Sequence, residues 1–319
     1  MDSFAENLNS QIENTVLVLN GECSDEEIER LFKRASESGF DIVAGIGGGK
    51  TLDTAKAVAY EMKKPVAIVP TIASTDAPCS ALSVIYTESG EFKRYLVLPK
   101  NPDLVMVDSK IIANAPERFL VSGMGDALAT WFEAETCMRN YSANMSGDIG
   151  SMAAYSLANL CYETLLEYGE LALSSAKAKV VTPALEKIIE ANTLLSGIGF
   201  ESGGLASSHA IHNGLTALEK THNYFHGEKV AFGTLASLFL TDKDAETIDE
   251  VYSFCESVGL PTTFDDIGLS GVSDEEIIKA AEGSCAKGET IFNESIEITP
   301  QRVFAALKAA DMEERKRKK

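Results

Sequence analysis

Histidine is the residue type whose distribution in this chain most suggests chemistry. The 319-residue sequence contains four histidines, and all of them lie in one short segment, as His209, His212, His222 and His226. Imidazole is the commonest neutral metal ligand in proteins. His209 and His212 are spaced i, i+3, which places both on one face of a helix. The cluster predicts a metal site, and no cysteine pair precedes it to indicate a zinc finger.

A catalytic zinc site with two histidines needs a third protein ligand and an open position for water or substrate. Asp126 is the best candidate carboxylate, because it follows the glycines at 123 and 125 and is predicted to start a helix. Without the histidines, the same aspartate would be interpreted as an ordinary helix N-cap. His226 precedes Gly227 and Glu228 at the predicted start of another apolar helix. The sequence thus offers one carboxylate and several imidazoles for a metal centre.

A glycine-rich loop, residues 45–51 (GIGGGKT), lies between a predicted strand and a predicted helix. Its N–H groups and the positive helix end suit a pyrophosphate. The G-x-G-x-x-G dinucleotide fingerprint fails, because Lys50 stands where the last glycine belongs. The P-loop pattern nearly fits, although Ala44 replaces its first glycine and Asp108 could imitate the acidic strand end. Phosphate binding is predicted, the nucleotide is left open, and a turn without a ligand is the alternative.

Short β-branched runs alternate with amphipathic segments in the first third of the chain. The predicted strands are residues 15–19, 41–45, 65–69 and 104–108, and residues 81–86 and 92–98 are predicted to form a hairpin. Apolar strands that alternate with helices indicate a parallel sheet covered on both faces. After about Pro116 the pattern is almost entirely helical. A domain boundary is therefore predicted near residue 115.

The composition excludes several classes of function. The formal charge of −20 repels phosphate backbones and anionic lipids, so nucleic-acid and membrane-surface binding are not expected. The six cysteines are scattered without a C-x-x-C pair, a pattern typical of reduced thiols in a cytosol. The first residues are acidic and include no apolar leader segment. The sequence predicts a cytoplasmic protein.

Five motifs follow one another along the chain: residues 47–56 (GGGKTLDTAK), 71–78 (TIASTDAP), 125–127 (GDA), 207–214 (SSHAIHNG) and 226–229 (HGEK). Together they resemble glycerol dehydrogenases, a family within the iron-containing (group III) alcohol dehydrogenases. The resemblance covers about residues 15–270. It implies an N-terminal α/β dinucleotide-binding domain with a parallel sheet (residues 1–115) and an all-α metal-binding domain (residues 116–319), arranged as in dehydroquinate synthase, with the active site between them.

The resemblance also implies roles for individual residues. The zinc ligands would be Asp126, His209 and His226. The pyrophosphate loop and the nicotinamide-side contacts would be supplied by Gly48, Gly49, Lys50, Asp53, Thr71, Ser74, Ser80, Leu82 and Tyr86. Asp76 matches a residue near the substrate hydroxyls, and His212 matches a histidine beside the nicotinamide that could relay a proton.

Two features depart from the family pattern. Iron-dependent alcohol dehydrogenases resemble this chain but have a ligating histidine where it has Thr130, so the resemblance implies the three-ligand zinc set. The family also has a longer N-terminal segment, with a first strand and an acidic residue that binds the adenosine ribose. Only 46 residues precede Gly47 here. A natural short form, a trimmed sequence or a member that has lost tight NAD binding would each account for this.

The resemblance implies zinc-dependent, NAD-linked oxidation of glycerol, or of a related vicinal diol, to dihydroxyacetone. The expected partners are a small polyol substrate and further copies of the chain, in a homo-oligomer that is an octamer in the family. A catalytically impaired binding or assembly subunit is one alternative. A P-loop-like nucleotide hydrolase would leave the histidines unused, and a glycerol-1-phosphate dehydrogenase would need a cationic cluster that is not obvious in the sequence.

Overall fold

The computed structural model describes residues 13–37 and 39–318. Its strands are β1 (Val43–Gly47), β2 (Val66–Pro70), β3 (Leu82–Tyr86), β4 (Phe92–Val97) and β5 (Leu104–Val105). Its α-helices are α1 (Asp25–Ser36), α2 (Gly49–Met62), α3 (Ser109–Asn114), α4 (Glu117–Asn140), α5 (Met152–Lys177), α6 (Pro183–Glu190), α7 (Ser196–Gly203), α8 (Ser207–Leu215), α9 (His226–Leu240), α10 (Ala245–Val258), α11 (Asp274–Ser284) and α12 (Pro300–Arg317). Short 3₁₀ turns occur at Glu219–Thr221, Asp265–Ile267 and Thr290–Asn293.

The central sheet is parallel, as predicted, with the strand order β1–β2–β5. In β1 and β2, Val43 pairs with Val66 and Gly47 pairs with Pro70. Because the two strands are parallel and in register, their carboxyl ends lie at the same edge of the sheet. The glycine loop leaves β1 at this edge, and residues 71–78 leave β2 beside it. The sheet therefore brings two of the sequence motifs together.

The predicted hairpin is confirmed, since β3 and β4 pair antiparallel from Leu82 opposite Val97 onward. The strand predicted at residues 104–108 is shorter than expected and comprises only Leu104–Val105. Asp108 instead caps α3, and its side chain accepts a hydrogen bond from the N–H of Lys110. A β-branched run thus ends early because a capping residue begins a helix inside it.

The strand predicted at residues 15–19 is wrong. This stretch pairs with no strand of the described chain, and Val16 and Val18 are 56% and 64% exposed. Leu17 and Leu19 pack against the apolar cluster that includes Ile28. The apolar run predicts a buried strand, whereas contact with the cluster on α1 and α2 buries only part of Leu17 and Leu19 without any strand pairing.

From Ser109 onward the described chain is helical, apart from an isolated bridge between Ala143 and Ile149. This confirms the predicted all-α second part. Its core is one large cluster in which Met124, Leu165 and Phe232 are fully buried. None of the helices in the described chain combines the length and the apolarity that a membrane crossing requires.

Two glycines let other backbone segments approach α4 closely. A Cβ added at Gly123 would lie 2.0 Å from the carbonyl oxygen of Ala73, and one added at Gly125 would lie 2.4 Å from that of Gly227. The prediction that Asp126 starts a helix is wrong, because α4 runs through these glycines and places Asp126 in its middle. The glycines serve close packing of the segment after β2 and of α9 against α4.

The helices α6 and α7 are joined without a break by a π-helical turn, Ala191–Leu195. Asn192 lies in this turn, and its amide donates hydrogen bonds to the carbonyl oxygens of Ala73, at 3.0 Å, and Leu120, at 3.1 Å. π turns are wide and occur frequently at functional sites. Here the turn connects the segment after β2 to the start of α4.

Candidate active site

Asp126, His209 and His226 form a cluster although they lie on three different helices. Asp126 lies in the middle of α4, His209 in the first turn of α8, and His226 is the first residue of α9. One ligand atom of each residue lies within 4.8 Å of the others. The Oδ1 atom of Asp126 is 3.3 Å from Nε2 of His209 and 3.1 Å from Nε2 of His226.

The environment of Asp126 fits a metal ligand. Its side chain is fully buried, and within the described residues its Oδ1 atom has no aligned hydrogen-bond donor. Such an oxygen is costly unless a partner satisfies it. Burial alone would raise the pKa of Asp126, but the charges of His226 and His209, whose rings face its carboxylate, lower it below its usual value. One ionised oxygen and two imidazole nitrogens are a donor set that zinc accepts with an open fourth position.

Glu133 holds the imidazole of His209, and the sequence interpretation missed it. The Nδ1 atom of His209 is 2.5 Å from Oε2 of Glu133. The other oxygen of Glu133 accepts hydrogen bonds from the N–H groups of Ala206, at 2.9 Å, and His209, at 3.0 Å. This arrangement turns Nε2 toward Asp126, as carboxylates commonly do for metal-ligating histidines. Glu133 follows Asp126 by seven residues on the same helix, a spacing that could have identified it.

The substitution Glu133→Gln is expected to weaken zinc binding by about 10- to 100-fold, the range typical of such supporting carboxylates. The amide cannot accept a hydrogen bond from Nδ1 through its nitrogen, so the ring loses its fixed orientation and basicity. Competition with a chromophoric chelator would measure the affinity. The exposed Glu170 on α5 provides a matched control, Glu170→Gln, which should leave the affinity unchanged. Equal affinities for both variants would contradict this role.

Asp76 lies beside the cluster and is oriented by it. Its backbone N–H donates to Oδ2 of Asp126 at 3.1 Å, and its own Oδ2 accepts a hydrogen bond from Ser196 at 3.0 Å. The hydroxyl groups of Ser196 and Thr130 are 2.8 Å apart. Burial and the nearby charge of Asp126 raise the pKa of Asp76 well above its usual value. Thr130 therefore takes part in the network that orients Asp76.

His212 is buried next to the cluster, whereas His222 lies apart from it. The rings of His212 and His226 are 4.2 Å apart between centroids, and Nδ1 of His212 is 3.1 Å from Oδ1 of Asn213. Burial first, and then the charges of His226 and Lys229, lower the pKa of His212 well below its usual value. His222 instead contacts the carbonyl oxygen of Thr216 at 2.8 Å.

The glycine loop forms the N-terminal end of α2, with Gly48 as the N-cap and Gly49 as the first helical residue. A Cβ at Gly48 would lie 2.7 Å from Ile72, so no larger residue fits there without a shift. Lys50 is partly exposed and forms an ion pair with Glu22. The loop offers the unpaired N–H groups and the positive potential that bind a phosphate.

A second lysine, Lys229 on α9, is close enough to interact electrostatically with Lys50. Its side chain is only 7% exposed, and its ammonium group has no hydrogen-bond or ion-pair partner among the described residues. Burial, and then repulsion from Lys50, lower the pKa of Lys229 to about 8. The sequence interpretation missed this residue, since a lysine near a helix start has no distinguishing pattern.

The residues predicted on the nicotinamide side are divided between a pocket and the segment leading to it. A pocket is lined by Asp53, Asp76, Ser80, Leu82 and Tyr86 together with His209 and His226. Thr71 and Ser74 lie on the segment between β2 and Asp76 and do not line it. The structure thus brings Asp76, some of the residues predicted to contact the cofactor and two of the three predicted metal residues to one cavity.

Comparison with known proteins gives concordant findings. The iron-containing alcohol dehydrogenase family matches residues 1–109. A glycerol dehydrogenase of Thermotoga maritima is 71% identical over 301 residues, which are 94% of this chain and 82% of that protein. A glycolaldehyde reductase of Halobacterium salinarum is 48% identical over 300 residues, with the same shares of 94% and 82%. The crystal structure of a probable glycerol dehydrogenase from Sinorhizobium meliloti superposes with a TM-score of 0.96 at 47% identity, over 99% of this chain and 88% of that one.

Proposed function

This chain belongs to the iron-containing alcohol dehydrogenase family, among its glycerol dehydrogenases, and on that premise we propose that it oxidises glycerol to dihydroxyacetone with zinc and NAD⁺. The observation that carries the proposal is the buried Oδ1 atom of Asp126, which faces the Nε2 atoms of His209 and His226 without an aligned donor. A divalent cation bound by these three atoms would satisfy all of them.

Asp126, His209 and His226 would hold the zinc ion, and Glu133 would keep the ring of His209 in place. When bound, zinc supplies Lewis acidity, which lowers the pKa of a substrate hydroxyl. Asp76 is placed to orient the substrate, since its Oδ2 is occupied by Ser196 and its Oδ1 is left to accept a hydrogen bond from a second hydroxyl. This gives preference to a substrate with two neighbouring hydroxyl groups.

His212 is suited to accept the proton that the substrate hydroxyl releases. Its Nδ1 atom is 3.1 Å from the amide oxygen of Asn213, to which Nδ1–H can donate, and this leaves Nε2 as the basic nitrogen. Because the pKa of the ring is lowered, the imidazole is neutral near pH 7, and a proton accepted at Nε2 would be held only briefly before it passes on. A bound NAD⁺ would supply the hydride acceptor for the substrate carbon. Ser80, Leu82 and Tyr86 would position its nicotinamide ring.

The pocket favours an uncharged substrate. Its lining, as far as the chain is described, includes two aspartates and no lysine or arginine. A phosphorylated substrate would require a cationic partner for its phosphate, so the lining disfavours a glycerol phosphate. A nucleotide hydrolase is disfavoured because it would leave the buried cluster of Asp126, His209 and His226 without a role.

The direct test is the formation of NADH when NAD⁺ and glycerol are added to zinc-loaded protein. We expect turnover that a chelator abolishes and that added zinc restores. Loading a parallel sample with ferrous iron would identify the preferred metal. Zinc binding without turnover in either sample would reject the proposed activity and favour a catalytically impaired binding or assembly subunit.

We further expect NADH binding to weaken by about tenfold between pH 7 and pH 9, because only the protonated form of Lys229 attracts a pyrophosphate. Its pKa of about 8 is set by burial and by Lys50, opposed by Glu22 and Glu228. Below this pKa the lysine is charged and contributes to binding, and above it the contribution is lost. Fluorescence titration of NADH at several pH values would measure the effect.

The substitution Lys229→Met should lower the affinity for NADH at pH 7 and remove most of the pH dependence of NADH binding. The exposed Lys287 offers a matched control, Lys287→Met, for which the wild-type pH profile is expected. A Lys229→Met variant with the unchanged profile would show that another group is responsible.

We also propose that the chain divides near residue 115 into a dinucleotide-binding part and a metal-binding part, and that it functions as a cytoplasmic homo-oligomer. The division is supported by the change from mixed sheet and helix to helix alone. Limited proteolysis would test the division, and light scattering would give the number of copies in the assembly.

A further inference from the structure

Lys56, in the second turn of α2, is a fully buried cation whose polar partners in the described chain are one short segment and one carboxylate. Its ammonium group donates hydrogen bonds to the carbonyl oxygens of Ala77, at 2.8 Å, Ser80, at 3.3 Å, and Leu82. It also lies 3.4 Å from the hydroxyl oxygen of Ser80. Three carbonyl groups of a non-helical segment thus point at one side chain.

Asp53, one helical turn earlier, completes the arrangement. Its Oδ1 atom is 2.9 Å from the ammonium nitrogen of Lys56, and its Oδ2 atom accepts a hydrogen bond from the N–H of Val84 at 3.0 Å. Its backbone carbonyl accepts a hydrogen bond from the hydroxyl of Ser83 at 2.9 Å. The Oδ2 atom of Asp53 thus has a backbone donor, and its Oδ1 atom faces the ammonium group of Lys56 without an aligned hydrogen bond in the described chain.

A buried ion pair of this kind is a poor source of stability, because desolvation of two charges roughly cancels their attraction. The pair instead fixes the positions of nearby backbone groups. Three ammonium protons and one carboxylate fix backbone groups between Ala77 and Val84, a segment whose first part, residues 77–81, belongs to no helix or strand and whose last part begins β3. The same segment carries Ser80 and Leu82 into the pocket and begins directly after Asp76.

The helix that carries the pair also forms the glycine loop. Gly48 and Gly49 lie at its N-terminal end, and Asp53 and Lys56 lie one and two turns further on. One rigid helix therefore holds the proposed pyrophosphate site at its end and the nicotinamide-side segment along its flank. The distance between these two parts of the site is set by the helix and by the buried pair.

We propose that Asp53 and Lys56 are positioning residues that fix residues 77–84 relative to the glycine loop. In this way they hold the nicotinamide end of the cofactor in the correct position relative to the substrate. This inference rests on the proposed function. It predicts that loss of the pair affects the nicotinamide end of the site and leaves the phosphate end and the metal cluster intact.

The test is the double variant Asp53→Asn/Lys56→Met, which removes both charges and leaves no unpaired ion. The asparagine oxygen can still accept from Val84. We expect one zinc ion per chain and unchanged affinity for ADP-ribose, which lacks the nicotinamide. We expect NADH affinity to be about tenfold weaker and kcat/KM for glycerol to fall by about 10²-fold, as small misplacements of reactants commonly cause. Amide hydrogen exchange should become faster in residues 77–84 and stay unchanged in α4 and α9.

The exposed pair Glu313 and Lys316 has the same spacing and provides the control Glu313→Gln/Lys316→Met, which should behave as wild type. Should the double variant fold poorly, the single variant Lys56→Gln can replace it, because glutamine keeps two donors for the carbonyl groups. This variant should show a smaller loss of NADH affinity, again with unchanged affinity for ADP-ribose. Equal losses of ADP-ribose and NADH affinity, or unchanged NADH affinity, would overturn the proposal. If the wild-type chain binds neither ligand, the proposed function fails, and unchanged exchange in residues 77–84 of the double variant would then reject the positioning role separately.

Discussion

In the variant Asp126→Asn we expect zinc binding to be lost and kcat/KM for glycerol to fall by at least about 10³-fold. The estimate follows from the several kcal/mol that a Lewis acid contributes to such a reaction, at about 1.4 kcal/mol for each tenfold change in rate. Asparagine matches aspartate in size and can still accept the hydrogen bond from the N–H of Asp76. The missing element is the negative charge between the two imidazoles.

Zinc content by atomic absorption and initial rates of NADH formation would measure the two effects separately. The exposed Asp148 supplies the control Asp148→Asn, which should retain full zinc and activity. If Asp126→Asn retained one zinc ion per chain with substantial turnover, the ligand assignment would be incorrect.

The second large effect is expected from Gly227→Ala. A Cβ at this position would lie 1.8 Å from the carbonyl oxygen of Ser122 and 2.9 Å from the backbone nitrogen of Asp126. Both atoms belong to α4, which must move away from α9 to make room, and such overpacking costs about 3 kcal/mol. Because His226 precedes Gly227 and Asp126 lies on α4, the same movement separates two zinc ligands.

Urea unfolding of zinc-free protein would give the change in the free energy of unfolding, and zinc titration would give the change in affinity. The control is Gly39→Ala, since a Cβ there meets nothing within 4 Å. Wild-type stability together with wild-type zinc affinity in Gly227→Ala would show that the two helices can separate without cost.

The parallel sheet and the helical second part could be predicted because both depend on local patterns, namely apolar β-branched runs and helical periodicity. The stretch at residues 15–19 shows the limit of such patterns. Its apolar run predicts a buried strand, and Leu17 and Leu19 are indeed partly buried, but such a run cannot distinguish burial against another strand from burial against helices. That choice depends on tertiary contacts.

The candidate site shows a similar division. Asp126, His209 and His226 stood out because histidine is rare in the chain and clustered, and the structure brings these three together. Glu133 and Lys56 did not stand out, since charged residues on amphipathic helices usually face water. Both residues matter because they are completely buried. That burial arises only when α8 packs over Glu133 and residues 77–84 pack over Lys56.

The π-helical turn at Ala191–Leu195 makes the site dependent on chain length as well as on residue identity. A π turn holds one residue more than an α-helical turn, so a deletion of one residue here would restore a regular helix and change the angle between Asn192 and Ser196 about the helix axis. Asn192 bonds to Ala73 and Leu120, and Ser196 bonds to Asp76. Relatives with one residue fewer in this turn should therefore not keep both sets of contacts in their present geometry, even where all named side chains are identical.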